Sequence, residues 1–312
     1  MDEKNLNTTT AYEEDEDDLI GLITSNADAS GQYVIFHNGF DNLYAINVAK
    51  VEELIAFSEI ELTENSNSFN IISGVAKVRG NVIPVVKFDR WLGNEADKTD
   101  QELLMVCSYG GERLGLVIKN VLGILSIDSH TMIDNSDKDE KTSFITEVSI
   151  GGVHGLCLVF DSDKLLMDVF PKIESTQIAK SHQLRMERAI NGKILSAEDS
   201  SVIRNALKIA YEQLGIDYEL FKDGSLLLAR LKELNPNDIA LIITDLEMPV
   251  MDGLKLIEAI KEEPIYGDIP IIVNTNMANG SVSTKCYNLG VSHIIAKLDL
   301  EELSRSIKAY AR

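Results

Sequence analysis

From Lys193 to Arg312 the chain alternates five short apolar runs with amphipathic segments. KILSA (193–197) precedes a segment whose apolar positions, Val202, Ile203, Ala206, Ala210 and Leu214, recur at helical spacing. YELF, IALIIT, IPIIVNT and HIIA follow, each succeeded by another helical segment, running through Leu234, 254–260, through Leu289 and through Ile307. Apolar runs without in-out alternation suit strands buried on both faces, and the helical periods between them supply the crossovers. Five such units predict a parallel sheet covered on both sides, a doubly wound (βα)5 domain. Asp299 and Glu302 have capping-box spacing and mark the start of the last helix.

Ligands of such a sheet bind outside the carboxyl ends of its strands. The run ITDLEMPVMDG (243–253) places Asp245 there, where an apolar strand gives way to a Pro and Gly loop. The first strand delivers Glu198 and Asp199 to the same edge, the fourth Thr275 and the fifth Lys297. Carboxylates sharing a cleft repel, by about 1 kcal/mol for a pair at ~4 Å in water and about 4 kcal/mol at an effective dielectric near 20. A divalent cation removes that cost, and hard oxygen ligands favour Mg²⁺. With the metal and the Lys297 ammonium beside it, the Asp245 carboxylate can attack a phosphoryl group and form an aspartyl phosphate. The Thr275 hydroxyl can then donate to a phosphoryl oxygen. Each residue alone has an ordinary use: an Asp at a strand end caps a turn, Asp199 and Ser200 start a helix, and a Lys is solvated. Convergence of five polar groups, with Met248, Pro249, Asp252 and Gly253 in order after Asp245, favours chemistry.

This segment resembles the response-regulator receiver family. Asp245 and Thr275 are separated by 30 positions and Thr275 and Lys297 by 22, as is usual there. The resemblance implies that Asp245 is the phosphorylation site, Asp199 a direct Mg²⁺ ligand, Glu198 a ligand through water, Glu247 a ligand through its backbone carbonyl, and Thr275 and Lys297 the switch pair. Leu298 stands where the family usually has proline, Ile294 where a switch Tyr or Phe is common, and Asn276 where a small residue is usual.

A length of 312 residues exceeds what one core usually supports, and the amino-terminal half has a different rhythm. QYVIF (32–36), LYAINV (43–48), VIPVV (82–86), ELLMVC (102–107) and VHGLCLVF (153–160) read as strands between turn signals such as HNGFDN and YGGE. VAKVEELI (48–55) and FDRWLG (88–93) have helical spacing, the second ending on a glycine suited to a helix terminus. Pro84 cannot donate a ladder hydrogen bond, so its strand is expected at an edge or with a bulge there. DNSDKDEK (134–141) reads as a mobile loop. The organisation expected is an acidic disordered tail over 1–28, a β-rich domain over 29–172, a linker over 173–191 and the α/β domain over 192–312.

A formal net charge of −21 repels nucleic acid and anionic lipid, and no basic patch offsets it. No apolar stretch approaches the roughly 20 residues of a membrane span, and residues 1–18 carry no signal-like pattern, so a cytoplasmic protein is expected. Cys107, Cys157 and Cys286 are odd in number and set in apolar contexts, as buried reduced thiols are. His37, His130 and His154 lie far apart without carboxylate or cysteine patterns, which makes them turn or edge residues rather than ligands.

LYAINVAKVEELI (43–55), GVAKVRGNVIPVVKF (74–88), ERLGLVIKNVLGIL (112–125) and CLVFDSDKLL (157–166) resemble successive signatures of the CheW-like family of chemotaxis coupling domains. That implies a pair of five-stranded β-barrels sharing an apolar core, joining chemoreceptors to the histidine kinase CheA. Arg79 and Gly80 match the family's Arg-Gly turn, where the arginine serves either a local pair or a partner contact. Lys87 stands where the family tends to have Asp. A CheW-like double barrel followed by a receiver resembles the CheV type of coupling protein, expected at receptor arrays on the inner face of the membrane and expected to catalyse only its own phosphorylation and dephosphorylation. Two other readings stay open. One is a pure scaffold with an inactive receiver, suggested by Leu298 and Ile294. The other is an Asp-nucleophile phosphatase of the haloacid dehalogenase type, which usually needs a second Asp where Glu247 stands.

Overall fold

The computed structural model describes residues 31–64, 71–94, 103–109, 112–128, 131–135, 138–170, 190–276 and 280–312. The expected acidic tail, all but the end of the expected linker, and His130 lie outside them.

Among the described residues the amino-terminal domain forms two six-stranded sheets. One orders its strands β10 (Ile133–Asp134), β11 (Thr142–Ile150), β12 (Val153–Phe160), β2 (Leu43–Asn47), β1 (Gln32–His37) and β9 (Asn120–Ser126). The other runs β3 (Val51–Ala56), β7 (Leu103–Tyr109), β8 (Glu112–Ile118), β6 (Asn81–Lys87), β5 (Ile72–Val78) and β4 (Leu62–Glu64). Each thus has five longer strands and one short one, close to the expected pair of five-stranded units. The sheets share one core: Val34, Phe36, Tyr44 and Ile46 of the first meet Val86, Met105, Leu114 and Leu116 of the second. Phe88 and Trp91 of the short helix α1 (Phe88–Trp91) fill the space between. The Phe88 ring lies 4.8 Å from that of Tyr44, edge to face, and 5.0 Å from that of Phe160, an arrangement aromatic quadrupoles favour.

Two local expectations are corrected. Residues 48–55 form a single 3-10 turn, Val48–Lys50, followed by strand β3. The apolar positions there match a helix face, but the antiparallel ladder to β7 takes the backbone bonds. The strand holding Pro84 lies inside its sheet, between β5 and β8, and the register shift in its ladder falls between Ile72 and Gly74. Proline is tolerated because β8 pairs with β6 only over Val85–Lys87.

The carboxyl-terminal sheet is wholly parallel, in the order β14 (Tyr218–Phe221), β13 (Lys193–Ala197), β15 (Ile239–Thr244), β16 (Ile271–Asn274) and β17 (His293–Ile295). Helices α3 (Ser201–Leu214) and α7 (Leu300–Tyr310) cover one face, burying Ile203, Leu207, Leu303 and Ile307. Helices α4 (Gly224–Leu231), α5 (Gly253–Glu262) and α6 (Gly280–Asn288) cover the other, with Leu227, Leu256, Ile260 and Cys286. Asp299 caps α7 by accepting from the Glu302 N–H at 2.9 Å. The three cysteines are free and buried.

Helix α2 (Ser162–Val169), which follows β12, serves both domains. Leu165, Leu166 and Val169 enter the β core, while Met167 joins the receiver-side apolar cluster with Ile203, Leu298 and Leu300.

Candidate functional site

The loop after β15 is set by sterics. A Cβ on Gly253 would stand 2.0 Å from the Asp245 carbonyl oxygen, and one on Gly224 would stand 2.7 Å from that of Met251. Glycine at 253 lets the start of α5 close on the end of β15, where its N–H donates to the Leu246 carbonyl at 3.1 Å. Asp252 caps α5 through the Lys255 N–H. Asp245 is thereby held on a short, doubly anchored turn, its Oδ1 accepting from the Leu246 N–H at 2.7 Å.

Glu198, Asp199 and Asp245 each offer a carboxylate oxygen, all within 4.8 Å of one another. Glu198 and Asp245 are 1% exposed. Arg204 donates to the carbonyls of Glu198 and Asp199 at 2.9 and 2.5 Å and fixes the loop between β13 and α3. Lys297 lies at the centre: its Nζ donates to Glu198 Oε1 at 3.0 Å and stands 2.9 Å from Asp245 Oδ2. Thr275 is buried directly after β16, its N–H donating to the Ile295 carbonyl at 2.9 Å. The five residues expected at the carboxyl edge all stand at that edge. Glu247 lies beside them, but its side chain is drawn to a lysine of the other domain, Lys50, at 3.6 Å.

The electrostatics are those of a crowded acidic pocket. Burial pushes the Glu198 carboxyl well above the usual range; Lys297 pulls it back, and Asp245 and Asp199 add to the rise. Burial likewise lifts Asp199, to about 7, and raises Glu247. Burial alone would lower Lys297, but Asp163, Asp245, Glu198 and Asp199 outweigh it and hold the ammonium charged. Buried carboxylate oxygens without a hydrogen-bond partner, Glu198 Oε2 and Glu247 Oε1, complete the picture, while Asp245 Oδ2 is ion-paired with Lys297. Unpartnered oxygens of this kind, in an all-oxygen donor set, fit a hard divalent cation such as Mg²⁺.

Three residues at the site were not anticipated, and all come from the β-rich domain. Asp163 Oδ2 accepts from Lys297 Nζ at 3.0 Å. Asp161 accepts from the Ser200 hydroxyl at 3.2 Å with both oxygens. Lys50 Nζ donates to Ser162 Oγ at 2.9 Å and lies 3.7 Å from Asp163. Nothing in FDSDKLL distinguishes these aspartates from helix caps, and Asp161 does cap α2 through the Lys164 N–H.

An acidic trio with two buried members, a lysine and a hydroxyl at the carboxyl edge of a parallel sheet whose first strand lies between its second and third define a receiver-type domain, here joined to a double β unit. Residues 32–170 match the model of the CheW-like domain, and residues 194–308 that of the response regulator receiver domain. Across both domains it is similar to Chemotaxis protein CheV1 of Helicobacter pylori, 27% identical over 295 residues, which spans 86% of this chain and 89% of that one. Chemotaxis protein CheV2 of the same organism is 28% identical over 286 residues, covering 85% and 89%. Among solved structures, the scaffolding protein TtCheW of Thermoanaerobacter tengcongensis aligns with 42% of this chain and 89% of its own, at 17% identity and a TM-score of 0.37.

Proposed function

We propose that this protein is a chemotaxis coupling protein of the CheV type, whose CheW-like domain joins chemoreceptors to the histidine kinase CheA and whose receiver is phosphorylated on Asp245. The observation that carries it is the Lys297 ammonium 2.9 Å from Asp245 Oδ2, beside the carboxylates of Glu198 and Asp199. Among the described residues no helix is long and apolar enough to cross a membrane. That is compatible with a place at receptor arrays on the cytoplasmic side.

In the reaction, an Asp245 oxygen attacks the phosphorus of a phosphohistidine; the P–N bond breaks and an acyl phosphate forms. Glu198, Asp199, Asp245 and the Glu247 carbonyl would hold Mg²⁺, which supplies positive charge to the transferring oxygens. Lys297 binds an oxygen of the phosphoryl group, and the Thr275 hydroxyl donates to another once transfer is complete.

The test is incubation of the whole chain with acetyl phosphate and Mg²⁺, followed by intact mass. A labile adduct of about 80 Da that is absent from Asp245→Asn is expected; no adduct on the wild type favours a pure scaffold.

A further inference from the structure

Lys297, the cation a receiver needs for the incoming phosphoryl group, is already engaged. It is shared by Asp245, Glu198 and, from the coupling domain, Asp163, and its side chain is 1% exposed. Asp163 is equally enclosed, at 3%. Lys50 extends the contact from Asp163 to Glu247, and Ser200, which caps α3, is bound to Asp161. The space left among Lys50, Asp161, Asp163, Asp199, Ser200 and Glu247 is about 30 Å³. A cavity of that size holds a water or two, and the Lys297 ammonium beside it is taken up by three carboxylates. Met167 seals the side of the contact against Leu298 and its neighbours. At Leu298 the backbone is left-handed, with φ of 67°, a conformation closed to proline. The family's usual residue there is thus incompatible with the turn that forms this wall.

We propose that helix α2 of the coupling domain is a built-in plug for the phosphoacceptor pocket, with the Asp163 carboxylate standing in for a phosphoryl oxygen on Lys297, so that docking of the two domains and phosphorylation of Asp245 exclude each other. This rests on Asp245 being the acceptor. Phosphorylation adds negative charge where Asp161 and Asp163 already sit and takes Lys297 from Asp163. Both effects drive α2 off the receiver. Undocking frees the α2 end of the CheW-like domain, so the phosphoryl signal reaches the coupling surface by release of a domain contact. The phosphohistidine donor in turn gains access only when the contact is open.

The full chain is labelled with acetyl phosphate and Mg²⁺, and the rate of adduct formation is compared for wild type, Asp163→Ala and the isosteric Asp163→Asn, with near-ultraviolet circular dichroism reporting that Trp91 remains packed. Hydrogen exchange over residues 161–169 of the wild type, before and after labelling, needs no variant. Expected are labelling roughly tenfold faster or more in both variants, because the apparent rate scales with the open fraction, and loss of protection over 161–169 on phosphorylation. Equal labelling rates with unchanged protection in phosphorylated wild type overturn the plug while leaving Asp245 as acceptor. Absence of any adduct in all three proteins removes the acceptor reading and the plug with it.

Discussion

Lys297 and Asp163, 134 positions apart and in different domains, meet at 3.0 Å with both side chains out of solvent. The pair ties the buried ammonium at the receiver's carboxyl edge to the coupling domain's helix. Burial alone would raise Asp163, but Lys297 and Lys50 outweigh it and hold its carboxyl at about 2. The contact is therefore ionic throughout the physiological range.

Lys297→Met leaves Asp163, Glu198 and Asp245 without their common counter-ion. Removing one partner of a buried ionic set costs about 3–5 kcal/mol, and a loss of that order is expected in urea unfolding followed by circular dichroism. Adding Asp163→Asn to this variant removes one stranded charge and is expected to recover part of the loss.

Gly253→Ala tests the turn that carries Asp245. A methyl group 2.0 Å from the Asp245 carbonyl forces the loop apart. A destabilisation of about 2–3 kcal/mol and slower labelling of Asp245 by acetyl phosphate are expected, measured by thermal unfolding and intact mass.

Metal dependence follows from the carboxylate cluster. Chelation of Mg²⁺ is expected to abolish labelling. Asp199→Asn removes one ligand charge and is expected to weaken Mg²⁺ binding roughly tenfold or more, about 1.4 kcal/mol, in calorimetric titration of the full chain.

Glu219 on β14 accepts from Lys193 at 2.6 Å and from Arg230 at 2.8 Å. Arg230 and then Lys193 draw its carboxyl down to about 2. A depressed carboxylate stabilises the fold above its unfolded pKa, and that contribution disappears as pH falls through the folded value. Glu219→Gln is expected to cost up to about 1 kcal/mol at neutral pH, since the ion pairs lie at the surface and are partly exposed. The difference from wild type should vanish near pH 2, as thermal melts at the two pH values will record.

Arg79 and Gly80 both have positive φ, 46° and 84°, and form the two-residue turn joining β5 to β6. The Arg79 guanidinium pairs with Glu53 at 2.7 Å yet remains 73% exposed. Arg79→Ala is expected to change stability by less than about 1 kcal/mol and to reduce co-sedimentation with receptor and kinase. Unchanged co-sedimentation would assign the arginine to the local pair alone.

The receiver was legible because its signals are local. Each of its strands is a continuous apolar run, and in a parallel sheet every such run ends at the same edge, so reading the strand ends placed Glu198, Asp199, Asp245, Thr275 and Lys297 together. The β-rich half was less so. An apolar pattern such as that of residues 48–55 satisfies a helix face and a half-buried strand about equally, and the choice fell to the neighbouring strand β7. The run Thr142–Ile150, strand β11, turns Phe144, Thr146 and Val148 inward in strict alternation, but its polar residues weaken the apolar signal that marks a strand.

By itself, then, the order of residues determined two domains, the parallel α/β architecture of the second and the identity of the groups on its functional edge, because short-range periodicity and strand direction are enough to specify them. Only the tertiary structure decided that Lys50, Asp161 and Asp163 close over that edge. Their placement depends on how one folded domain rests on another through Met167 and a shared lysine, a long-range choice governed by packing and charge that no local pattern encodes.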